Sequence, residues 1–249
     1  MINLRDMQLE MVQMIKNLDN LLSKNNIRYT LLGGSVLGAI KHKGFIPWDD
    51  DMDIGVFRED FEKAEELLST FKPYTYEATT KHIIPDAPIG HLHLVNEKYP
   101  IEMSPTIDIF ALDYVPSEKK EQKKLRFIAN IHHLAVLRRS PQNRGKLNRF
   151  VFGILIKIIP NKLWDRIQTK SLNKIINYTK SKNMIGKIFG FWTEKEYFMS
   201  EKYENLEKYQ FENLLLPIPK EFDLYLTQLY GDYMQLPPVE KRVPKHKIF

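Results

Sequence analysis

Between Gly33 and Val56 the chain reads GGSVLGAIKHKGFIPWDDDMDIGV, and the end of that stretch carries the strongest chemical signal. From Asp51 to Phe57, Met52, Ile54 and Val56 alternate with Asp51, Asp53 and Gly55, which is the period of a strand. Residues two apart on a strand share a face, so Asp51 and Asp53 point one way while the apolar residues point into a core. Two neighbouring carboxylates on a rigid strand repel unless a positive charge sits between them. A hard divalent cation such as Mg²⁺, which takes oxygen ligands, meets that need. An acidic run after Pro-Trp also reads as a solvated turn, but the strand alternation and the glycine turn upstream favour the cation site.

That upstream turn is Gly33-Gly34-Ser35, preceded by an apolar strand from Tyr29 to Leu32. It leads into a short helix, Val36 to Lys41, with Ser35 as its expected N-cap. Glycine lets a backbone approach a phosphate closely, and a helix N-terminus offers N–H groups and a positive dipole end. A phosphate cradle and a carboxylate pair in one stretch are what metal-assisted phosphoryl or nucleotidyl transfer needs. The glycine spacing fits neither a dinucleotide-binding fingerprint nor a Walker loop. A third carboxylate, Asp108, lies inside the apolar strand TIDIFAL, Thr106 to Leu112. An acid there is either a surface residue of an edge strand or the third member of the same site.

LGGSVLGAIKHKGFIPWDDDMDIGV resembles the signature of the LicD family of phosphotransferases, related to the fukutin proteins within the nucleotidyltransferase-fold superfamily. TIDIFALDYVP and PIPKEFDLYLTQLYGDYMQLPP resemble two further segments of that family, with Ala111 where the family usually has Pro. The resemblance implies an α+β fold: a nucleotidyltransferase-like mixed β-sheet flanked by helices, with helical middle and C-terminal additions. It implies a metal-dependent phosphotransferase that moves a phospho-alcohol, most often phosphocholine from CDP-choline, onto a hydroxyl of a lipopolysaccharide, teichoic acid or capsule precursor. On that basis Asp51 and Asp53 hold Mg²⁺ or Mn²⁺, and Asp108 joins the cation or accepts the acceptor's proton. Asp49 matches the family motif as a ligand, a group behind the ligands or a turn cap, and Asp50 is structural. Gly33, Gly34 and Ser35 cradle phosphate, while Lys41, His42 and Lys43 hold phosphate oxygens. The family often has Arg at the position of Lys41, so a bidentate contact is not expected there. His91 and His93 lie in a strand that departs from the family pattern. Other phospho-alcohols on cytidine diphosphate, such as ribitol or glycerol phosphate, are alternatives. So are a nucleotidyltransferase and a non-catalytic, membrane-associated glycan-assembly partner.

The elements that must position these groups are readable from periodicity. Leu4 to Asn25 is an amphipathic helix, followed by the strand, glycine turn and aspartate strand already described. Arg58 to Phe71 is a helix, and Tyr74 to Thr79 and His91 to Val95 are strands either side of a loop marked by Pro85 and Pro88. Asp113 reads as a turn residue. Ser117 is the expected cap of a helix from Glu118 to Arg139, in which His132 and His133 are consecutive and point to different faces. Pro141 to Lys146 is a loop, Lys162 to Lys180 a helix, and Gly186 to Trp192 looser. Leu216 to Pro219 leads into a final helix, with Pro219 in its first turn and Gly231 just past its end. The expected organisation is a catalytic core over 1–116 and a helical region over 117–249 that completes the same domain. The poorly matched middle, Glu118 to Tyr209, is expected to set acceptor choice.

The 249 residues are 43% hydrophobic and 27% charged, enough for a sizeable core, and contain no cysteine, which excludes disulfides and thiolate metal sites. The net charge of +6 favours anionic partners. Nucleic acid is not expected, since no recognition motif or basic–aromatic stripe is present. The first residues lack a signal-peptide core and no run is long enough to span a bilayer, so a cytoplasmic protein is expected. Phe150 to Ile159 reads first as a buried core helix. The rival is an amphipathic helix on an anionic bilayer, which would set the enzyme peripherally at the inner face of the membrane, beside a lipid-linked acceptor.

Overall fold

The computed structural model describes residues 3–78, 90–138, 153–154, 156, 158–178, 183–188 and 193–244. The expected α+β architecture is present: a mixed sheet flanked by helices. Helix α1 (Leu4–Lys24) starts at Asn3, whose side chain accepts the Asp6 N–H at 2.8 Å. It buries Met7, Met11, Met14, Ile15, Leu18 and Leu22 against the sheet residues of the main core. Gln8 is buried with them, and its amide donates to the carbonyls of Ile46 (3.2 Å) and Asp49 (2.9 Å), which ties the acidic loop to α1.

Strand β1 (Tyr29–Leu31) pairs antiparallel with β2 (Met52–Phe57), and β2 pairs parallel with β5 (Thr106–Val115). The other edge of β5 pairs with β4 (Gly90–His93), which in turn pairs with β3 (Thr75–Ala78); the end of β5 also pairs with β6 (Met184–Gly186), which pairs with β7 (Phe198–Met199). β5 is therefore a central strand, which rules out the edge-strand reading of Asp108. Between β1 and β2 lies α2 (Gly33–His42), and after β2 comes α3 (Arg58–Ser69), whose Phe61, Ala64 and Leu68 are buried.

Several expectations are corrected. Ser35 does not cap α2. Leu32 is the N-cap residue, α2 starts three residues earlier than expected, and the Ser35 hydroxyl instead accepts the Asp53 N–H at 2.9 Å. Asp113 is a buried residue of β5, and its two oxygens accept from Arg58 at 2.7 and 2.9 Å, locking the start of α3 to the sheet. Ser117 does not cap α4 (Lys119–Leu137); Glu118 precedes the helix without a side-chain cap. α4 packs against α5 (Asn161–Tyr178) around a second apolar cluster that includes Leu125, Ala129 and Ile175.

Leu216–Pro219 leads into the last helix as expected, but Pro219 is not in that helix's first turn, because the stretch Leu214–Pro219 is itself extended. This stretch is strand β9, paired antiparallel with β8 (Leu206–Phe211), because Phe211, Leu216 and Ile218 point into the main core. The prolines are tolerated because a two-stranded ribbon leaves donor positions that no ladder uses. Beyond the short α6 (Ser200–Tyr203), the last helix is α7 (Phe222–Tyr230), ended by Gly231 at φ +72°. The buried-core reading of Phe150–Ile159 also fails where the chain is described, since Ile154 is 40% and Ile158 70% exposed. The rest of that segment, the loops marked by Pro85, Pro88 and Pro141–Lys146, and Gly190–Trp192 lie outside the described residues. Among the described residues no helix is long and apolar enough to cross a membrane.

Helix α2 must turn sharply into the acidic loop, and Gly38 makes this feasible: a Cβ there would meet the Gly44 carbonyl oxygen at 2.4 Å. Gly38→Ala is expected to destabilise the fold by about 1–3 kcal/mol, read as a lowered urea midpoint at unchanged slope.

Candidate active site

The parallel register of β2 on β5 sets Asp53 beside Asp108. Asp51, just before β2, joins them, and ligand atoms of the three carboxylates lie within 4.8 Å of one another. Asp49, Asp50 and Asp51 form a second such group, in which Asp50 is fully buried. On the opposite face of the two strands Met52, Ile54, Ile107 and Ile109 are fully buried. The carboxylates are thus fixed by apolar packing and cannot relax apart. Burial first, then the charges of Asp51, Asp108 and Asp49, push the Asp53 carboxyl well above the usual carboxylate range, while Lys187 opposes them. Lys187 is ion-paired with the buried Glu196 at 2.8 Å and stands 4.0 Å over the ring of Phe110, two residues along β5 from Asp108.

This donor set fits a hard divalent cation: oxygen ligands only, closely spaced, with a crowding of negative charge that a cation relieves. Asp51, Asp53 and Asp108 could hold it, with Asp49 adjoining. Behind Asp108, His91 of β4 is in register and its Nδ1 donates to Asp108 Oδ1 at 2.7 Å. Burial opposes protonation of His91, but the hydrogen bond and charge of Asp108, with Glu77, outweigh it and raise its pKa. His93 stacks on His91 at 5.6 Å and approaches Ser104 and Thr106 at 3.0 and 3.2 Å, away from the carboxylates.

The glycine pair is where the backbone comes closest to this charge. A Cβ on Gly33 would lie 3.4 Å from Asp53 Oδ2, and one on Gly34 would lie 3.0 Å from Asp49 Oδ2. Gly33 also takes φ +48°. Its N–H donates to the Tyr225 hydroxyl at 2.7 Å and the Ser35 N–H to Leu32 O at 2.9 Å, so Gly34 supplies the first-turn amide without a protein partner among the described residues.

A cleft of about 910 Å³ opens over Asp49, Asp51 and Asp53. Lys41 and His42 line it, and Lys43 does not; Lys43 ends α2 in the left-handed conformation. The Lys41 ammonium donates to the carbonyls of Met234 (2.6 Å) and Tyr233 (3.3 Å), which fastens the C-terminal segment to α2. Burial, then the charge of Lys41, lowers the pKa of His42, so it is a neutral imidazole at pH 7. Trp48 lies edge-on to His42 at 6.4 Å, and the Arg242 guanidinium sits 5.8 Å over its ring. Tyr230, Asp232, Lys241 and Arg242 also line the cleft, and residue chemistry alone does not single them out. The signal for them is the resemblance of the C-terminal segment, which brings Tyr230 and Asp232 along without a role.

Residues 26–132 match the family described as LicD/FKTN/FKRP, nucleotidyltransferase domain. The chain is 30% identical to the lipopolysaccharide cholinephosphotransferase LicD of Haemophilus influenzae over 265 aligned positions, covering 98% of this chain and 96% of that protein. An uncharacterized protein of Rickettsia typhi is 44% identical over 68 residues, 27% of this chain and 22% of that protein. The human ribitol 5-phosphate transferase FKRP is 51% identical over 41 residues, 16% of this chain and 8% of that protein.

The geometry makes two outcomes testable. Without metal, Asp53→Asn removes a crowded charge and should raise the melting midpoint by roughly 2–4 °C, about 1 kcal/mol in a domain of this size. The rise that Mg²⁺ or Mn²⁺ gives the wild type should be absent in this variant, a comparison made by thermal melts with and without the cation. His91→Ala, which frees Asp108 from its hydrogen bond, should weaken divalent-cation affinity about tenfold at an unchanged melting midpoint, as read by calorimetric titration.

Proposed function

The chain belongs to the LicD/FKTN/FKRP family, and from that premise we propose that it transfers a phospho-alcohol, phosphocholine foremost, from a cytidine diphosphate donor to a hydroxyl of a cell-surface glycan precursor. Its standing as a LicD-type transferase rests on the full-length likeness to the Haemophilus influenzae protein. The observation that carries the chemistry is the in-register Asp53–Asp108 pair with Asp51 alongside.

In this reading Asp51 and Asp53 would hold Mg²⁺ or Mn²⁺, and Asp108 would complete the ligand set or accept the acceptor's proton. The bound cation supplies neutralisation of phosphate charge and orientation of the phosphorus under attack. The Gly34 N–H at the start of α2 is aimed to receive a phosphate oxygen, helped by the helix dipole. Ser35 acts through its hold on the Asp53 backbone, keeping that carboxylate in place. Lys41 acts by holding the C-terminal segment across the cleft, while Lys241 and Arg242 supply positive charge there. Neutral His42 offers a ring N–H rather than a charge. Trp48, capped by Arg242, is a flat apolar wall for the nucleoside or the alcohol. The acceptor's oxygen bonds to the phosphorus, the bond to CMP breaks, and the hydroxyl proton leaves to a carboxylate or water.

Peripheral contact with the inner face of the membrane belongs to the same reading, supported by the exposed Ile154 and Ile158 ahead of the basic Lys162. It would bring a lipid-linked acceptor to the cleft. Choice among acceptors is assigned to Glu118–Tyr209, the stretch that carries α4 and α5.

The test is a donor screen with purified protein and Mg²⁺: CDP-choline, CDP-ribitol, CDP-glycerol and CTP, monitored by CMP or pyrophosphate release. Metal-dependent CMP release from one CDP-linked donor is expected, with Asp51→Ala and Asp53→Ala each lowering it at least about 100-fold. Activity unchanged in both variants would remove the carboxylate mechanism, and pyrophosphate release from CTP would make the protein a nucleotidyltransferase.

A further inference from the structure

Most tyrosines around this half of the molecule have hydroxyl partners. Tyr29 donates to Asp19 at 2.8 Å, Tyr233 donates to Asp223 at 2.6 Å, and Tyr225 accepts the Gly33 N–H at 2.7 Å. Tyr230 differs: its hydroxyl has no hydrogen-bond partner among the described residues. The last residue of α7, it lines the cleft. A Cβ built on Gly33 would lie 3.5 Å from the Tyr230 hydroxyl and 3.4 Å from Asp53 Oδ2. Phenol and carboxylate therefore border the same small space, kept open because residue 33 has no side chain.

The placement is fixed twice over. Tyr225, five residues earlier on α7 and buried, anchors the helix to the Gly33 amide. Gly231 then turns the chain away at once, with φ +72° and its N–H donating to Thr227 O at 2.8 Å. Tyr230 is held over the carboxylates while the residue stays 42% exposed at the cleft. A phenol carries its proton at neutral pH, so Tyr230 is available there as a hydrogen-bond donor.

We propose that Tyr230 is a further catalytic residue, whose O–H donates a hydrogen bond to a non-bridging oxygen of the phosphoryl group in transit over Gly33. The inference rests on the phosphotransfer reading. As the acceptor oxygen–phosphorus bond forms and the phosphorus–oxygen bond to CMP breaks, the electron pair leaves with CMP and the acceptor's proton goes to a carboxylate or water. Tyr230 keeps its own proton throughout. The non-bridging oxygens move into the equatorial plane only as transfer proceeds, so a donor placed for that geometry acts on kcat more than on binding.

The test is Tyr230→Phe in the full chain, beside wild type and Tyr225→Phe. CMP release from CDP-choline, CDP-ribitol and CDP-glycerol with Mg²⁺ gives kcat and KM, calorimetry gives the Kd for CMP with Mg²⁺, and melts report folding. Tyr230→Phe is expected to lower kcat about 10- to 100-fold, with the CMP Kd within about twofold of wild type and an unchanged melting midpoint. Tyr225→Phe, which removes the anchor, should lower the midpoint. The proposal is overturned if Tyr230→Phe keeps kcat within about twofold, if its loss of rate tracks a loss of folding, or if only the donor's KM rises. A wild type that releases CMP from none of the three donors counts against the phosphotransfer reading itself, and is distinct from an active wild type matched by an active Tyr230→Phe.

Discussion

Like charges held together by an apolar sheet are the constraint on which this structure turns. Two carboxylates a few ångströms apart repel by several kcal/mol at the effective dielectric of a partly buried site. They would separate if the backbone let them. It does not, because Met52, Ile54, Ile107 and Ile109 are buried on the other face of β2 and β5. A slip of one residue would take the carboxylates off the site face but would turn these apolar side chains out of the core. Hydrophobic register therefore outweighs electrostatic repulsion, which a bound cation would relieve.

The second consequence is steric. At the start of α2 the backbone takes φ +48° at residue 33 and a Cβ on residue 34 would crowd Asp49 at 3.0 Å, so the turn is Gly33-Gly34. The space is closed from the far end of the chain: α7 delivers Tyr225 to the Gly33 amide, and Lys41 grips the carbonyls of Tyr233 and Met234. Glu212, in the turn of the β8–β9 hairpin, accepts from Arg5 and from the Phe45 N–H, so the same closure reaches the first helix. The site is thus built from segments about 190 residues apart in sequence, and changes in the last helix reach the carboxylates through single hydrogen bonds.

How much of this is legible in the sequence depends on what period and residue type encode. Asp51, Asp53 and Asp108 stand out because each interrupts an apolar strand pattern, and the strand period alone puts the first two on one face. The partnership of His91 with Asp108 depends on the antiparallel register of β4 against β5, which no local pattern specifies. Ser35 shows a local rule overridden: its type and position suggest a cap, yet a neighbouring strand offers the Asp53 N–H. Asp113 reads as a turn residue because its partner Arg58 lies 55 positions earlier. The β8–β9 hairpin is hidden by Pro217 and Pro219 and by the adjacent charges of Glu207 and Lys208 within its first strand. Lys41 shows the reverse case, in which a basic residue beside a phosphate-type turn spends its ammonium on backbone carbonyls.

These two layers divide the chain's tasks. The carboxylates on β2 and β5 favour any substrate that brings phosphate oxygens and a cation, and transfer of a phospho-alcohol or of a nucleotide would make the same demand on them. The two reactions differ in which phosphorus of the donor lies over Asp51 and Asp53 when the acceptor arrives, and that depends on where the remainder of the donor is seated. The groups available to seat it are Trp48 with Arg242, neutral His42, Lys241 and the rings of Tyr230 and Tyr233, most of them carried by the C-terminal segment. On the proposed function, chemistry and selection would reside in different parts of the fold, joined by the Lys41 grip and the Tyr225–Gly33 hydrogen bond. A relative could change its donor by altering the segment after α7 while leaving the strands that carry the carboxylates untouched.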